Sequence, residues 1–337
     1  MTKPYFKEKV RTIEVNRKTI SELLEGMKDI SFQGRSLGQA FDILCRMLTD
    51  EEATIIMGLA GSLSTAGMWK IIKWLIDENY IDVLVSTGAN ISEDIYEAMG
   101  ASYYKGSPYV NDEDLFKYRI DRFYDTFADE EEYSKMENLI FSFAKEVDAN
   151  KVYSSREFLW KFGSFLYSKN INSIVTSAYL RSMPIYSPAL ADSGYGIALS
   201  KLKIYDKKLI AIDATLDLVE LSKLIAFSKK TGVIYIGGGV PKDFVQIATI
   251  SAPFYGLEND RKPHNYAIQI TTDSPQWGGL SGCTLEEAVS WGKISSDANK
   301  ITVYCDATIA LPFLVHGILE KKIKRKGKNL KDLIETL

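Results

Sequence analysis

Thr54-Ile55-Ile56-Met57-Gly58-Leu59, followed by Gly61-Ser62-Leu63-Ser64-Thr65-Ala66-Gly67, sets the pattern of the chain. The first run is mostly apolar and predicts a buried strand. The second run predicts a turn of small and hydroxyl residues, and a helix is expected from residue 68 to about residue 79. Such a turn either lets a ligand approach backbone N–H groups or is a plain tight turn with a helix cap, and the residues favour neither reading.

The same strand-turn-helix unit then repeats. Asp82-Val83-Leu84-Val85 predicts a second strand, which runs into Ser86-Thr87-Gly88-Ala89-Asn90 and a helix that opens with Ser92-Glu93-Asp94. Alternating strands and helices predict an α/β fold, with a doubly wound, mostly parallel, Rossmann-like sheet, helices on both faces and ligands at the carboxyl ends of the strands. Further strands are predicted at residues 173–176, 185–186, 209–212, 233–236, 267–271 and 301–305, and a helix between two of them at 216–230.

Three glycines, Gly237-Gly238-Gly239, follow the predicted strand at 233–236. They permit a phosphate or sugar to approach the backbone closely, and Pro241 suits the first turn of a helix. The run is neither a GxGxxG fingerprint nor a P-loop, so it is weak evidence for a nucleotide. Asp306-Ala307 ends the last predicted strand, where the aspartate either accepts hydrogen bonds from a ribose or caps a helix at 309–320.

Residues 1–35 are predicted to form an N-terminal extension that can cover a neighbouring site, and residues 36–320 the main domain. Within it, residues from about 111 to 169 are expected to form a helical insertion with an aromatic-rich core. Residues 321–337 form a basic tail, and its run of lysines favours a solvated helix end over a patch for an acidic partner.

Composition excludes several classes of function. The chain has 337 residues, 46% of them hydrophobic and 25% charged, with a net charge of −3, so nucleic acid is not an expected partner. Three scattered cysteines and two histidines form no metal-ligand or disulfide pattern, and they make a serine-histidine-aspartate hydrolase improbable. No signal sequence or membrane-spanning run is evident, so a cytoplasmic protein with no bound metal and no membrane association is expected.

Glu286-Glu287-Ala288-Val289-Ser290-Trp291-Gly292-Lys293 combines carboxylates, an aromatic ring and an amine within eight residues. A lysine is a nucleophile once its amine has lost a proton. Trp291 offers a face that attracts an ammonium group, and Glu287 can pair with a polyvalent cation. The alternative is a plain helix or loop with an exposed lysine and a core tryptophan.

At this point the sequence resembles the deoxyhypusine synthase family. The segment from Glu287 to Lys293 is similar to the family motif EAVSWGK, and four further matches occur in the order expected for the family. These are Asp82–Val85 with Thr87 and Glu93, Ser187-Pro188-Ala189-Leu190 with Asp192, Gly237-Gly238-Gly239-Val240, and Val303-Tyr304 with Asp306-Ala307.

The resemblance implies an NAD-dependent transferase of polyamine metabolism, with residues 36–320 as its NAD-binding catalytic domain. In this chemistry NAD takes a hydride from spermidine, a lysine captures the four-carbon aminobutyl group as an imine, and the group passes to an acceptor amine. The acceptor is a lysine of translation initiation factor 5A, giving deoxyhypusine, or putrescine, giving homospermidine. The resemblance also implies a homotetramer with its sites at subunit interfaces.

By motif position, Lys293 is the implied catalytic nucleophile. The implied substrate-binding residues are Ser92, Glu93, Asp243, Gly278, Glu287 and Trp291. The implied NAD-binding residues are Ser62, Thr65, Thr87, Gly88, Ala89, Asp192, Gly238, Thr272, Asp306 and Ala307.

Several substrate-site positions depart from the family pattern. Asp243 replaces a histidine, while Ile197, Trp277 and Leu280 replace acids. A pocket that loses acids changes its preferred cation, so a small amine competes with a protein lysine as the acceptor. The pattern is similar to the bacterial, deoxyhypusine synthase-like branch. Two other classes stay open: an NAD-dependent amine dehydrogenase that releases NADH, and a catalytically silent NAD- or polyamine-binding protein.

Overall fold

The computed structural model describes residues 5–256 and 261–335. The first four residues of the expected N-terminal extension and the last two of the basic tail lie outside them. The helices are α1 Ile20–Met27, α2 Phe32–Thr49, α3 Trp69–Asp77, α4 Asn90–Ala98, α5 Asp112–Lys117, α6 Glu130–Glu146, α7 Ser155–Ser168, α8 Ile174–Leu180, α9 Gly194–Asp206, α10 Ala214–Phe227, α11 Gly239–Ser251, α12 Leu285–Ser290, α13 Ala307–Lys321 and α14 Lys331–Glu335. The strands are β1 Ala53–Leu59, β2 Val83–Ser86, β3 Tyr104–Lys105, β4 Ile120–Phe123, β5 Thr126–Asp129, β6 Val152–Tyr153, β7 Ile185–Tyr186, β8 Ala211–Ile212, β9 Lys230–Ile236, β10 His264–Thr271 and β11 Ile294–Tyr304.

Six parallel strands form the central sheet in the order β11-β10-β9-β1-β2-β7. The predicted fold class is therefore confirmed. Successive side chains of a strand point to opposite faces. In β1, Ile55 and Met57 accordingly join the core beneath α2, α3 and α13, while Ile56 joins the core beneath α10 and α11. Both faces are covered, which explains the continuous apolar character of β1.

One predicted strand is wrong, and a second is shorter than expected and lies outside the central sheet. Residues 173–176 belong to α8, because the Ser173 side chain accepts a hydrogen bond from the Thr176 N–H and caps a helix in place of a strand. Residues 209–212 yield only the short β8, which pairs with β6 in a separate two-stranded sheet. The β-branched composition of both segments favoured strands, and tertiary packing overrode it.

The region from about 111 to 169 is only partly helical. It contains α5, α6 and α7, but β5 also pairs with β3 on one side and with β4 on the other, which forms a small antiparallel sheet. The expected aromatic core is present, since Phe143 packs against Phe158, Phe162 and Phe165 with ring centroids 5.0–5.4 Å apart.

The first helix and the described part of the C-terminal segment pack onto the main body. α1 lies against α2 and α13, and the Ser21 N–H donates to Glu320 across 2.7 Å. The expectation that the basic tail is a solvated helix end is wrong for Arg325, whose guanidinium is buried against Asp82. Leu330 and Ile334 are also buried, next to α10.

Two features of the described ranges bear on the expected location and chemistry. No helix among residues 5–256 and 261–335 is both long enough and apolar enough to cross a membrane. In the same ranges, no group of three or more His, Cys, Asp or Glu side chains is arranged to hold a metal ion.

Candidate active site

A cavity of about 390 Å³ lies where β1, β9, β10 and β11 end. Parallel strands present their carboxyl ends at one edge of a sheet, which explains why residues from distant parts of the chain meet there. Four predicted NAD-binding residues line the cavity, namely Gly238, Thr272, Asp306 and Ala307.

The glycine run at this edge has two roles. Gly237 and Gly239 have φ values of +71° and +55°, the left-handed region that glycine adopts at little cost. Gly238 is the N-cap of α11, and glycine has no side chain that can accept a hydrogen bond. The first N–H groups of this helix, at the cavity, therefore have no side-chain cap. A Cβ atom on Gly238 would lie 2.2 Å from Cα of Ser281, so this glycine is also required by the chain's own packing.

Asp306 caps a helix, which was one of its two predicted roles. Its Oδ1 accepts hydrogen bonds from the N–H and the hydroxyl of Thr308, at 2.7 and 2.6 Å. This contact fixes the carboxylate at the start of α13 and at the wall of the cavity.

The remaining predicted NAD-binding residues lie on the neighbouring loops after β1, β2 and β7. The Thr87 hydroxyl donates to the carbonyl of Gly61, which lines the cavity, at 2.8 Å. Gly88 packs closely on Ser193, because a Cβ there would lie 2.4 Å from the serine Oγ. Ser62, Thr65 and Ala89 share these loops, and Asp192 is exposed just before α9.

Asn90 connects the two loops and was not singled out from the sequence. Its buried side chain accepts from the N–H of Leu63 at 2.7 Å and donates to the carbonyl of Gly61 and the hydroxyl of Thr87, both at 2.9 Å. An asparagine at a predicted turn gave only a weak signal, because its partners in the first loop, Leu63 and Gly61, lie 27 and 29 residues away.

Glu93 is buried near this edge, in the first turn of α4. The Ser62 hydroxyl donates to its Oε2 at 2.5 Å. Burial raises the pKa of Glu93 to about 7, although the Ser62 hydrogen bond opposes the rise. A carboxylate in such a position gains from an ammonium ligand, which would hold it in its charged form.

Lys293 owes its position to a local helix ending. α12 stops at Ser290, and Gly292 follows the C-cap Trp291 with a φ of +65°. The Gly292 N–H then donates to the carbonyl of Val289, and the Lys293 N–H donates to that of Ala288. This is a Schellman ending, in which the glycine is needed for the left-handed turn that directs Lys293 into β11.

The Lys293 amine lies between a carboxylate and an aromatic ring. Its Nζ is 3.3 Å from Oδ1 of Asp243 and 5.3 Å from the ring centroid of Trp291. The lysine side chain is 12% exposed and that of Asp243 23% exposed, so the pair is shielded and still reachable. The structure thus brings three of the predicted site residues together.

Lys242, which the sequence reasoning did not single out, anchors the loop beside this pair. Its Nζ is buried and donates to Oε1 of Gln269 at 3.0 Å, to the carbonyl of Leu280 at 3.2 Å and to that of Cys283. Burial lowers the pKa of Lys242, and Glu287 and Asp243 are among the nearby acids that oppose the decrease. Gln269 in turn donates to the carbonyls of Gly237 and Ser281.

The other predicted substrate-binding residues are placed less directly. The Ser92 hydroxyl donates to the carbonyl of Gly88 at 3.0 Å, so it is engaged by the backbone. Gly278 lies in an exposed turn with a φ of +70°. Among residues 5–256 and 261–335, no hydrogen bond or ion pair joins Glu93 to the Lys293–Asp243 pair.

The fold places the chain among the α/β proteins whose parallel sheet carries a ligand cavity at its carboxyl edge. A family model for deoxyhypusine synthase matches residues 22–318, and the chain belongs to the deoxyhypusine synthase family. This family consists of NAD-dependent enzymes of the aminobutyl-transfer class that act on a polyamine substrate. The recognition of the family from its motifs is therefore confirmed.

The chain is similar to proteins from both archaea and bacteria. It is 52% identical over 293 residues to "Probable deoxyhypusine synthase 2" of Archaeoglobus fulgidus, covering 87% of this chain and 96% of the relative. It is 39% identical over 329 residues to the "Deoxyhypusine synthase-like protein" of Chlorobaculum tepidum, covering 96% and 93%. The expected bacterial branch is not confirmed, because identity to the archaeal protein is higher.

A solved structure from Entamoeba histolytica, described as a deoxyhypusine synthase, has the same fold. The TM-score is 0.67 at 19% sequence identity, over 93% of this chain and 97% of that one.

The residues at the carboxyl edge fit the NAD on which the family depends. An adenine dinucleotide needs hydrogen-bond acceptors for a ribose and backbone N–H groups for a pyrophosphate. The cavity offers the Asp306 carboxylate at one wall and the glycine turn with the start of α11 at another.

Proposed function

We propose that this protein transfers an aminobutyl group from spermidine or a related amine to an acceptor amine, with Lys293 as the covalent carrier. The observation that carries the proposal is the position of the Lys293 amine, 3.3 Å from Asp243 and over the ring of Trp291. This arrangement suits a cationic amine chain, because the ring attracts ammonium groups and the carboxylate pairs with them.

NAD, when bound, would supply the hydride chemistry, removing a hydride from the carbon beside the secondary amine of the donor and later returning it to the product imine. Gly238, Thr272, Asp306 and Ala307 are the residues that would hold it. We assign Ser62, Thr65, Thr87, Gly88, Ala89 and Asp192 to the same site, as the family resemblance implies.

Lys293 performs the group transfer in this proposal. Its neutral amine attacks the four-carbon imine, 1,3-diaminopropane leaves, and the aminobutyl group becomes an imine of Lys293. Asp243 accepts the proton that the Lys293 ammonium must lose before it attacks, and the 3.3 Å separation of Nζ and Oδ1 permits this transfer directly after a small approach of the two atoms. Attack by the acceptor amine then releases Lys293.

The acceptor in this proposal is a small amine such as putrescine, which would give homospermidine. Asp243 adds a carboxylate next to Lys293, where the family pattern has a histidine. A carboxylate at the nucleophile in place of a histidine favours a free diamine, whose two ammonium groups both need anionic partners. A protein lysine is the competing acceptor and would give deoxyhypusine.

We further propose that the complete site lies between two copies of the chain, within a homotetramer. Support comes from the separation of Glu93 from the Lys293–Asp243 pair, since within the described ranges no contact joins them. A polyamine with ammonium groups at both ends needs carboxylates at both ends of its site. A second copy would bring Glu93 of one chain to Lys293 of the other.

The test is borohydride reduction during turnover with NAD and isotopically labelled spermidine. Wild-type protein should gain the mass of the four-carbon amine fragment on Lys293. Lys293→Ala should bind NAD and form no adduct, and Lys293→Arg should also fail because arginine stays protonated. Lys229→Ala, at an exposed lysine, is the matched control and should behave as wild type. An adduct in Lys293→Ala at wild-type yield would refute the role of Lys293.

The same reaction separates the competing functions. Equal supplies of putrescine and factor 5A show which acceptor is aminobutylated, and protein modification without homospermidine would refute the small-acceptor proposal. Net accumulation of NADH would indicate an amine dehydrogenase. NAD or polyamine binding without turnover would indicate a silent binding protein.

A further inference from the structure

A second cavity, of about 490 Å³, lies behind the loop that leads from β7 to α9. Its walls come from this loop, from α9, and from the segment that leads into α10, and most of the lining side chains are apolar. They include Leu190, Leu199, Ile204, Leu209, Ile210 and Ile212. The second cavity shares no lining residue with the cavity at the carboxyl edge of the sheet.

Two buried polar groups without partners line this apolar cavity. Asp217 is fully buried, and its Oδ2 has no hydrogen-bond partner among the described residues. Ser187 is 1% exposed, and its Oγ likewise lacks a partner in residues 5–256 and 261–335. Leaving such a group unsatisfied in the interior is unfavourable, so a ligand that satisfies both groups gains affinity.

The other polar atoms of these two residues are fixed by the fold. Oδ1 of Asp217 accepts from the Arg156 N–H at 3.3 Å, near the start of α7. The Ser187 N–H donates to Oγ of Ser155 at 2.7 Å. The contact of Oδ1 thus holds the Asp217 carboxylate in place, and the backbone contact holds Ser187 at the cavity wall.

The charges around the cavity select the kind of ligand. Burial raises the pKa of Asp217 to about 7, hydrogen bonding by Ser155 and Arg156 opposes the rise, and the nearby Glu220 adds to it. Glu220 is itself paired with the Arg156 guanidinium, at 2.6 and 3.0 Å, so that cation is not available to Asp217. A ligand ammonium would stabilise the charged form of Asp217. Lys203 also lines the cavity, and its positive charge disfavours a second ammonium group on the ligand.

We propose that this cavity binds a primary alkylamine, whose ammonium donates hydrogen bonds to Asp217 and Ser187 and whose hydrocarbon chain lies among the apolar walls. The ligand has one cationic end and one apolar end. This distinguishes the cavity from the polyamine site proposed above, which takes a chain with charges at both ends. The inference does not depend on the proposed transferase activity.

The experiment is calorimetric titration of the full-length Lys293→Ala protein with hexylamine, because this background prevents turnover of the amine. Saturable binding is expected, with hexylamine bound at least tenfold more tightly than putrescine, hexanol or hexanoate. Tighter binding of hexanoate would assign the cavity to an anion paired with Lys203 and would overturn the proposal, as would the absence of saturable binding.

Two variants locate the binding. Asp217→Asn keeps the oxygen that accepts from Arg156 and removes the charge, so hexylamine binding should weaken at least tenfold. Ile212→Trp should fill the cavity and weaken binding even if Asp217→Asn does not fold, with folding checked by circular dichroism. Glu93→Gln, at the proposed polyamine site, should bind hexylamine as the parent protein does. If hexylamine binding were lost in Glu93→Gln and retained in Ile212→Trp, the assignment to this cavity would be wrong.

Discussion

Replacing Arg325 with methionine should destabilise the fold, because Arg325 neutralises a buried carboxylate. Its Nη1 donates to Oδ1 of Asp82 at 2.9 Å and its Nη2 to Oδ2 at 2.5 Å. The same two nitrogens donate to the carbonyls of Asn79 and Ala53, at 2.7 and 2.9 Å. The side chains of Arg325 and Asp82 are only 5% and 1% exposed.

The magnitude follows from what remains around Asp82 in the variant. Removing one partner of a buried ion pair costs about 3–5 kcal/mol, because the other charge stays buried without its counterion. Asp82 would keep two backbone donors, the N–H groups of Ile55 and Lys328, at 2.8 and 2.9 Å. These donors stabilise the carboxylate in part, so we expect a loss near the lower end, about 3 kcal/mol.

Urea unfolding, followed by circular dichroism, measures this loss. Lys324→Met is the matched control, since Lys324 is an exposed residue of the same basic segment and its change should stay within about 0.5 kcal/mol. Adding Asp82→Asn to Arg325→Met should restore part of the stability, because the amide oxygen can still accept from Ile55 without carrying a charge. If Arg325→Met unfolded at the same urea concentration as Lys324→Met, the buried pair would not have the role given to it here.

Three further predictions concern the site. The pKa of Glu93 is 4.5 in the unfolded chain and about 7 in the folded protein, so the folded state holds this proton more tightly. Its contribution to the free energy of unfolding is therefore greatest below pH 4.5, and it falls by about 3 kcal/mol as the pH rises to 7. The KM for the amine should therefore fall as pH rises through 7 in wild type, and a Glu93→Gln variant that kept this step would contradict the assignment. Asp243→Asn should slow formation of the borohydride-trapped Lys293 adduct about 100-fold without weakening NAD binding, and an unchanged single-turnover rate would exclude Asp243 as the proton acceptor. Gly292→Ala should lose about 1–2 kcal/mol of stability and reduce the adduct yield, because φ is +65° at this residue and the new Cβ would lie 2.8 Å from Cδ of Arg261. Wild-type stability together with a wild-type adduct yield would show that this turn does not position Lys293.

Much of the fold could be predicted from periodicity, because the central strands are buried on both faces. β1, β2, β9, β10 and β11 each contain a run of apolar and β-branched residues that was recognised as a strand. The same signal failed at residues 173–176, where a serine cap started a helix. It also failed to distinguish β8, which lies outside the central sheet, from a strand within it. Composition shows that a segment can form a strand, but the partner of that strand is decided by packing.

The residues of the candidate site differ in the same way, since some are positioned by nearby residues and others by residues far away in the sequence. Lys293 was singled out from a local motif, and the backbone contacts that position it involve residues no more than five positions away, from the carbonyl of Ala288 to the left-handed turn at Gly292. The position of Lys242 depends on Gln269 and Cys283, which are 27 and 41 residues distant, and no local pattern contains that information.

Lys242 and Lys293 nevertheless share one carboxylate. Asp243 pairs with Lys293 at 3.3 Å and is also among the acids that oppose the lowered pKa of Lys242. Two cations therefore lie near Asp243, one fixed in the core by three acceptors and one 3.3 Å from the carboxylate. In the proposed transfer, the local motif supplies the nucleophile, and the long-range packing around Lys242 holds the loop that lies beside it.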